Sequence, residues 1–281
     1  MKVALARCAV LPEPDIDEAP LIDALTSAGH DTRCLPWDDP EADVAAFDVV
    51  VLRATWNYTD APDAFESWLA HVTAVTQLEN PLALARWNLR KTYLRELAGR
   101  GVPVVPTAWL TAATDPTTAA RIQGWADVVA KPVVGAGSRL TRRFATGDPA
   151  LAAFVRVSGR PMMLQPYVRS VETTGERSVV VIDGVPTHAV RKHPRFAEDH
   201  ERVEAVTLEP ALANFARSVV QQLPEPPLHA RVDVLEDDEG ALVVGEVELV
   251  EPSLFFTLGP EALGRFVRGL ERRVAGRLQS S

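Results

Sequence analysis

The sequence predicts an α/β protein in which a parallel layer at the N-terminus precedes two lobes of mixed helix and strand. Over residues 1–85, short β-rich runs alternate with helical patterns, which is typical of a small parallel sheet with crossover helices. Farther along, alternating apolar runs flank Asp183-Gly184 and recur over residues 229–250, which predicts two antiparallel hairpins. We therefore expect a parallel sheet first and antiparallel pairing after it.

The N-terminal layer consists of five predicted elements. In chain order they are strand, helix, strand, strand and helix: KVALARCAV, EAPLIDALTSAGH, DTRCLPW, FDVVVLRATW and PDAFESWLAHVTAV. The first helix is expected to end at Gly29, because glycine commonly terminates helices. No glycine follows the first strand, so the fingerprint with which dinucleotide-binding sheets approach a pyrophosphate is absent. This pattern argues against a nicotinamide dehydrogenase.

The two lobes are assembled from the remaining elements. A helix over NLRKTYLRELAGRG is expected to end at Gly99 and Gly101, and a long helix follows Gly259 at the end of the chain. Strands are predicted for VPVVPTAWL and RPMMLQPYV, a strand–turn–strand unit for DVVAKPVVGAGSRLTRRF, a short helix within TAATDPTTAARIQGW, and a helix for PALANFARSVVQQL.

The composition is that of an ordinary globular protein. Of 281 residues, 47% are hydrophobic and 24% are charged, which suffices for a large core. A net charge of −9 argues against a general binder of nucleic acid or of anionic membranes. Cys8 and Cys34 lie far apart without a CxxC pattern, and the apolar N-terminal run is too short for a signal sequence or a membrane span. These features predict a protein of the reducing cytoplasm.

Two glutamates interrupt an apolar strand near the C-terminus. Glu246 and Glu248 are two residues apart, so on a strand both point to one face, and Asp233 lies on the partner strand of the hairpin. Neighbouring carboxylates repel each other, and Mg²⁺ removes that cost because it prefers oxygen ligands. The residues alone leave two interpretations open, a magnesium site and the solvated face of a hairpin.

A glycine-containing turn is the second candidate site. Lys131 ends an apolar strand, and Gly135 and Gly137 leave the following turn free of side chains. Backbone N–H groups in such a turn can bind phosphate oxygens beside the ammonium group. The Gly-Lys-Ser/Thr ending of a P-loop is missing, and an ordinary hairpin turn with a surface lysine is the alternative.

The order of these motifs resembles that of ATP-grasp ligases. The motifs, in chain order, are Lys91, Lys131 with its glycine turn, LQPYV, GERS, Arg231-x-Asp233 and Glu246-x-Glu248. The separation of the last two is similar to that in D-alanine:D-alanine ligases, although Glu248 stands where those enzymes have asparagine. The resemblance implies an ATP-grasp fold with an N-terminal α/β domain at 1–85, a central lobe at 86–170 and a C-terminal lobe at 171–281.

The resemblance also implies ATP and Mg²⁺ as cofactors, with a role for each motif. The implied ATP-binding residues are Lys91, Lys131, Gly135, Gly137 and Ser138 at the phosphates, Gln165, Tyr167 and Val168 at the adenine, and Glu176 at the ribose. The implied magnesium ligands are Asp233, Glu246 and Glu248. Arg231 is implied as a catalytic residue that stabilises the charge developing on the reacting carboxyl group.

A further set of residues is expected to bind the substrate: Arg53, Arg191, Lys192, Glu251 and Ser253. Arg53 stands where a strand should end, and a surface arginine is its alternative. Arg191 and Lys192 at another strand end suit a carboxylate or an acyl-phosphate, which makes Arg191 a second catalytic candidate. The histidines at 188, 193 and 200 fit no metal motif, so surface or loop positions are predicted for them.

Other segments are similar to the small ATP-grasp ligases of antibiotic pathways, a group that includes D-cycloserine synthetase. LRATWNY, LENPLALARWNLRKTYL and EVELVEPSLFF carry this likeness, and EDHERVEAVTLEP replaces the Gly-Gly segment of glutathione-synthetase-type ligases. The resemblance implies a ligase that activates a small carboxylate as an acyl-phosphate for attack by an amine-type nitrogen, with ring closure inside one molecule as in D-cycloserine synthetase.

Three alternatives to this function remain. They are an intermolecular amino-acid or peptide ligase of glutathione-synthetase type, a nucleotide-binding protein without turnover, and an α/β protein that binds no nucleotide. The expected partner is a small carboxylate or amine, with no nucleic acid and no membrane, and a homodimer is compatible with the sequence.

Overall fold

The computed structural model describes residues 1–111, 113–193 and 202–278. Its first sheet is the predicted parallel layer, with the strand order β2-β1-β3-β4. The elements are β1 (Lys2–Arg7), α1 (Glu18–Ser27), β2 (Asp31–Pro36), β3 (Val49–Ala54), α2 (Pro62–Val75) and β4 (Gln77–Glu79). The sequence does not predict β4, because three residues carry no period-two pattern.

The single helix predicted over NLRKTYLRELAGRG is wrong. Helix α3 (Leu82–Asn88) ends before Lys91, and α4 (Tyr93–Gly99) begins after it. In the break, the Lys91 N–H donates to the Val133 carbonyl at 2.8 Å. The Asn88 amide donates to the Val247 carbonyl at 2.8 Å and accepts from the Leu249 N–H at 2.9 Å. The first bond satisfies a backbone N–H that a continuous helix would bond internally, and the side-chain bonds of Asn88 fix the break against the rest of the fold.

The second sheet, which we call the central sheet, has the strand order β5-β8-β6-β7 and is antiparallel. Its elements are β5 (Ala108–Trp109), α5 (Pro116–Ile122), β6 (Asp127–Pro132), β7 (Arg142–Ala145), α6 (Pro149–Ser158) and β8 (Met162–Pro166). One face packs Val128, Ala130 and Leu164 against α5 and α6. Alternation along β6 therefore turns Lys131 to the opposite face.

The sequence misjudges two parts of the central sheet. Helix α6 is not predicted, and only the Ala108–Trp109 part of VPVVPTAWL forms a strand. The preceding residues run along the next sheet instead: the Val105 N–H donates to the Val244 carbonyl, and the Val244 N–H donates to the Pro103 carbonyl, both at 2.9 Å. This connection joins the central lobe to the third sheet.

The third sheet has the strand order β11-β10-β9-β12-β13 and contains both predicted hairpins. Its elements are β9 (Glu176–Ile182), β10 (Val185–Lys192), β11 (Val203–Val206), α7 (Pro210–Val220), β12 (His229–Glu236) and β13 (Leu242–Glu248). Asp183 and Gly184 have φ angles of 48° and 74°, the left-handed conformation that a two-residue hairpin turn requires. One face of this sheet packs against α7.

The opposite face of the third sheet packs against the N-terminal layer. Val180 and Ile182 of β9 share a core with Val3 and Leu5 of β1 and with Phe266 of the last helix, α8 (Glu261–Leu278). Neither α8 nor any other helix in the described ranges is long and apolar enough to cross a bilayer. Beyond Val180 the same face of the sheet becomes charged, and the candidate site lies there. The bounds of the three domains stay a prediction.

Candidate active site

The register of β12 and β13 gathers four charged side chains on one face. Arg231 lies opposite Glu248, and Asp233 lies opposite Glu246. Directly opposed residues of an antiparallel pair point to the same side of the sheet, so all four share the face that the i, i+2 spacing predicted. On β9, Ser178 lies opposite Asp233 and adds a hydroxyl to this set.

Asp233 is the centre of this hydrogen-bond network. Its two oxygens accept from Arg231 Nε at 2.9 Å and Arg231 Nη2 at 3.0 Å, in a bidentate pair. Ser178 Oγ donates to it at 2.6 Å and Lys192 Nζ at 2.9 Å. Burial alone would raise the pKa of Asp233, but Arg231 and Lys192 together lower it well below its usual range. Arg231 also donates to Glu248, so its guanidinium bridges two acids.

Two lysines approach this face from outside the third sheet. Lys91 Nζ bonds Glu246 and donates to the Gly135 carbonyl at 3.0 Å. Lys131 Nζ, on the open face of the central sheet, lies 4.0 Å from the same glutamate. Burial, reinforced by the neighbouring Lys91, lowers the pKa of Lys131 to about 7. The site is therefore a cleft between two sheets, in which Lys91 and Lys131 face a wall that holds the three acids together with Arg231 and Lys192.

The glycine turn after Lys131 forms the edge of the cleft. A Cβ atom on Gly135 would lie 2.7 Å from Pro132 Cγ, which explains the need for glycine there. Gly137 and Ser138 both have a φ of 59°. The next residue, Arg139, donates to Asp60 at 2.8 Å and so ties the turn to the N-terminal layer.

The residues predicted for the adenine and ribose lie along the end of β8 and the start of β9. Gln165 Nε2 donates to Thr107 Oγ1 at 3.0 Å, and the Tyr167 hydroxyl donates to Glu172 at 2.8 Å. Val168 packs against the apolar cluster beneath β12 and β13. Glu176 forms an ion pair with Lys192 and so faces the acid wall.

Among the predicted substrate residues, Glu251 and Ser253 join the site. Glu251 accepts from the Tyr58 hydroxyl at 3.0 Å, and its backbone carbonyl accepts from Trp56 Nε1 at 3.0 Å. Burial, reinforced by the nearby Glu248, raises the pKa of Glu251 to about 8. The Ser253 carbonyl accepts from Arg231 Nη1 at 3.4 Å.

Arg53 is buried at the end of β3, and the surface alternative is therefore wrong. Only 3% of the residue is exposed, and its Nη2 donates to Asp17 at 3.2 Å. Its Nε and Nη1 atoms have no hydrogen-bond partner within the described residues. Buried donors of this kind call for a partner, such as a ligand or water.

The structure separates Arg191 from Lys192. Consecutive residues of a strand point to opposite faces, so Lys192 reaches Asp233 while Arg191 lies on the other side of the sheet. There the Arg191 guanidinium pairs with Glu204 of β11. The structure thus brings Lys192 to the site and does not bring Arg191 to it.

Comparison with known proteins assigns the chain to a family. Residues 3–80 match the model of the N-terminal domain of the D-cycloserine synthetase DcsG. The cycloserine biosynthesis protein DcsG of Streptomyces lavendulae is 31% identical over 300 aligned positions, which cover 97% of this chain and 98% of that protein. The chain belongs to the DcsG family of ATP-grasp ligases. It is an ATP-dependent carbon–nitrogen ligase.

Solved structures agree with membership of this family. The crystal structure of D-cycloserine synthetase DcsG superposes with a TM-score of 0.89 at 30% identity, covering 98% of this chain and 100% of that one. The D-alanine–D-alanine ligase of Bacillus anthracis, complexed with ATP, matches with a TM-score of 0.74 at 15% identity and full coverage of both chains, which shows the shared ATP-grasp fold.

Several residues of the site in this DcsG-family chain are not predicted from the sequence. Ser178 could have been found from the sequence, because it lies two residues after Glu176 on the same strand and so points to the same face. His188 is buried, against the predicted surface position, since its Nε2 bonds the Leu254 carbonyl at 2.8 Å. His193 pairs with Glu204, and His200 lies outside the described residues. No local sequence pattern points to Tyr58 or Asp17, because their hydrogen-bond partners lie far away in the sequence.

The predicted magnesium ligands do not form a free metal cluster in the structure. Within the described ranges, no three His, Cys, Asp or Glu side chains are arranged to hold a metal ion. Instead, each of the three carboxylates bonds a lysine or an arginine: Glu246 bonds Lys91, Glu248 bonds Arg231, and Asp233 bonds both Arg231 and Lys192. The donor set nevertheless fits a magnesium–nucleotide complex, since carboxylate oxygens suit the metal and the cations suit the phosphates.

Proposed function

We propose that the protein uses ATP and Mg²⁺ to activate a small carboxylate as an acyl-phosphate, which a nitrogen of the same molecule then attacks to close a ring. The observation that carries this proposal is the facing arrangement of Asp233, Glu246 and Glu248 with Lys91 and Lys131 across the cleft. Phosphoryl transfer depends mainly on positioning and on neutralising charge, and this arrangement supplies both. The intramolecular step is supported by the likeness to D-cycloserine synthetase along nearly the whole chain.

The nucleotide is assigned to the cleft between the central and third sheets. Lys91 and Lys131 bind its phosphates, and the turn from Gly135 to Ser138 covers them. Gln165, Tyr167 and Val168 line the adenine position, and Glu176 holds the ribose. Asp233, Glu246 and Glu248 are the proposed magnesium ligands. Magnesium, when bound, neutralises the charge on the phosphate oxygens.

Arg231 is the proposed catalytic arginine. A carboxylate oxygen of the substrate attacks the terminal phosphorus of ATP, and ADP leaves. When nitrogen attacks the carbonyl carbon of the acyl-phosphate, negative charge develops on the carbonyl oxygen, and a preorganised guanidinium stabilises it. The C–O bond to the phosphate then breaks, inorganic phosphate leaves, and the nitrogen loses a proton, which leaves the new C–N bond. We assign this role to Arg231 and not to Arg191, because Arg191 pairs with Glu204 on the far face of the sheet.

The proposed substrate position lies between Arg231 and the end of β3. Arg53 offers two buried nitrogen donors, Nε and Nη1, without partners among the described residues, and a substrate anionic group would satisfy them. Glu251, Ser253 and Lys192 line the same region. An intermolecular ligase would need a second molecule in this space, and the number of substrates required for ADP release distinguishes the two reactions.

The test of this proposal is Glu248→Gln. We expect ADP formation to fall by more than about 100-fold, because several kcal/mol of charge stabilisation is lost. The control is Glu66→Gln, since Glu66 pairs with Arg86 on the surface and bonds none of the proposed site residues. Unchanged ADP formation in Glu248→Gln, with small amino acids as substrates, would refute the metal assignment. Turnover that requires two different substrates would favour the intermolecular reaction.

A further inference from the structure

Asp17 is a buried carboxylate that does not cap the helix it precedes. It stands directly before α1, yet its side chain makes no capping bond to that helix. Its exposed fraction is 0%. The two oxygens instead accept from the backbone N–H groups of three consecutive residues more than 230 positions away: Leu254, Phe255 at 3.1 Å and Phe256 at 2.8 Å. Arg53 donates a fourth bond.

The segment that Asp17 holds, Glu251–Phe256, is in contact with Arg231. The Ser253 carbonyl accepts from Arg231 Nη1, and the Phe255 ring lies 5.8 Å from the guanidinium carbon. Phe255 has a φ of 51°, a conformation that bulky residues rarely adopt without external restraint. The three N–H bonds to Asp17 at this point supply such a restraint.

Other residues hold the carbonyl groups of the same segment. His188 bonds the Leu254 carbonyl at 2.8 Å, and Trp56 donates to the Glu251 carbonyl at 3.0 Å. Asp17 is the group that satisfies the consecutive N–H groups, and a negative charge makes such bonds stronger than neutral ones. Its removal would leave buried donors unpaired next to the strained residue.

We propose that Asp17 is a positioning residue that acts on catalysis by fixing Glu251–Phe256 against Arg231. The proposal rests on the function proposed above for Arg231. On one side, Asp233 and Glu248 fix the guanidinium, and on the other side Ser253 and Phe255 limit its movement. Displacement of a catalytic group by about 1 Å can cost on the order of 100-fold in rate, so the segment must be held rigidly.

The test is Asp17→Asn, which keeps the size of the side chain and removes its charge. We expect faster amide hydrogen exchange at residues 254–256. We also expect a loss of kcat on the order of 10- to 100-fold, with the KM for ATP changed by less than about twofold. The matched control is Asp148→Asn, because Asp148 accepts the Ala150 N–H at 2.8 Å at the start of α6 and does not touch the segment. It should change neither measurement.

A double-mutant cycle separates positioning from a general structural role. If Asp17 acts through Arg231, then Asp17→Asn should cost no more than about twofold in kcat when added to Arg231→Met. If Asp17→Asn lowers kcat as much in the Arg231→Met background as it does in the parent protein, the proposal is wrong. Unchanged amide exchange at residues 254–256, or an unchanged kcat, in Asp17→Asn alone would also overturn it. Should Asp17→Asn not fold, Asp17→Glu is measured in its place, with the same outcomes deciding. Normal turnover of Arg231→Met alone would instead refute the function proposed for Arg231, whatever the exchange data show.

Discussion

The two walls of the cleft are held in very different ways. On the third sheet, Arg231 and Asp233 are buried two residues apart on β12, an interior strand, and a bidentate bond joins them. On the central sheet, the turn around Gly137 and Ser138 has left-handed residues and is tied down through Arg139 and Asp60, whose side chains are 60% and 45% exposed. The first wall is preorganised, and the second depends on contacts that water can replace.

This difference suggests that the two walls have different functions. A group that stabilises charge in the transition state gains most from a rigid and dry setting, because nothing has to reorganise during the reaction. A turn that covers a nucleotide must let the nucleotide enter and leave, so weak exposed contacts suit it. We therefore expect substitutions on the first wall to act mainly on kcat, and substitutions on the second to act mainly on ATP binding.

The largest effect is expected for Arg231→Met. Loss of a preorganised donor typically costs about 2.7–4 kcal/mol in the activation barrier, so most of kcat should disappear. The thermal shift produced by ATP and Mg²⁺ should remain, since binding to the native state still raises Tm. Arg231→Lys should restore only part of kcat, because an ammonium group lacks the planar fork that engages Asp233.

The control for this prediction is Arg177→Met. Arg177 is next to Ser178 on β9, so its side chain points to the opposite face of the sheet, and it pairs with Glu236. Its substitution should leave kcat near that of the parent protein. Normal turnover in Arg231→Met would contradict the role proposed for Arg231 on this wall.

A smaller effect, and one of a different kind, is expected for Lys131→Ala. A hydrogen bond to a charged phosphate is worth about 1.5–3 kcal/mol, so the KM for ATP should rise by roughly 10-fold or more while kcat changes less. Steady-state kinetics at varied ATP concentration provide the measurement. An effect confined to the KM of the carboxylate substrate would remove Lys131 from the nucleotide site.

The smallest effect is expected for Asp60→Asn. Asp60 pairs with both Arg139 and Arg160 on the surface, and exposed pairs contribute about 0–1 kcal/mol each. The KM for ATP should rise by less than about fivefold, and high salt should reduce the difference from the parent protein. Asp63→Asn is the control, since Asp63 is 94% exposed and makes a long pair with Arg90. A large loss of kcat in Asp60→Asn would mean that the two walls are not independent.

The wall formed by the third sheet was easier to predict from the sequence than the wall formed by the central sheet. Its residues follow from the i, i+2 spacing of Glu246 and Glu248 and from the hairpin that places Asp233 beside them, and both are local patterns. The position of Arg191 was not predictable in this way, because facing depends on strand register, and β10 carries an irregularity between Pro186 and His188. The exposed pair between Arg139 and Asp60 could not be predicted either, since the two residues lie far apart in the sequence.

The remaining failures have one physical cause. Lys91 was placed in a helix because its neighbours have helical propensity, whereas bonds from Asn88 to β13 end that helix. The sequence did not single out Asp17, which precedes α1 without capping it, because its oxygens accept from a segment at the other end of the chain. In each case a long-range hydrogen bond outweighed a local preference that the sequence displays.

The shared core between the N-terminal layer and the third sheet has a consequence for how the chain unfolds. Val3 and Leu5 contact the same cluster as Val180 and Phe266, so neither sheet can lose its partner without exposing apolar surface on both. One face of the central sheet encloses a separate cluster with its own two helices, drawn from residues 108–164. Cooperative unfolding units follow such clusters, so the central lobe can open locally while the other two sheets remain one unit.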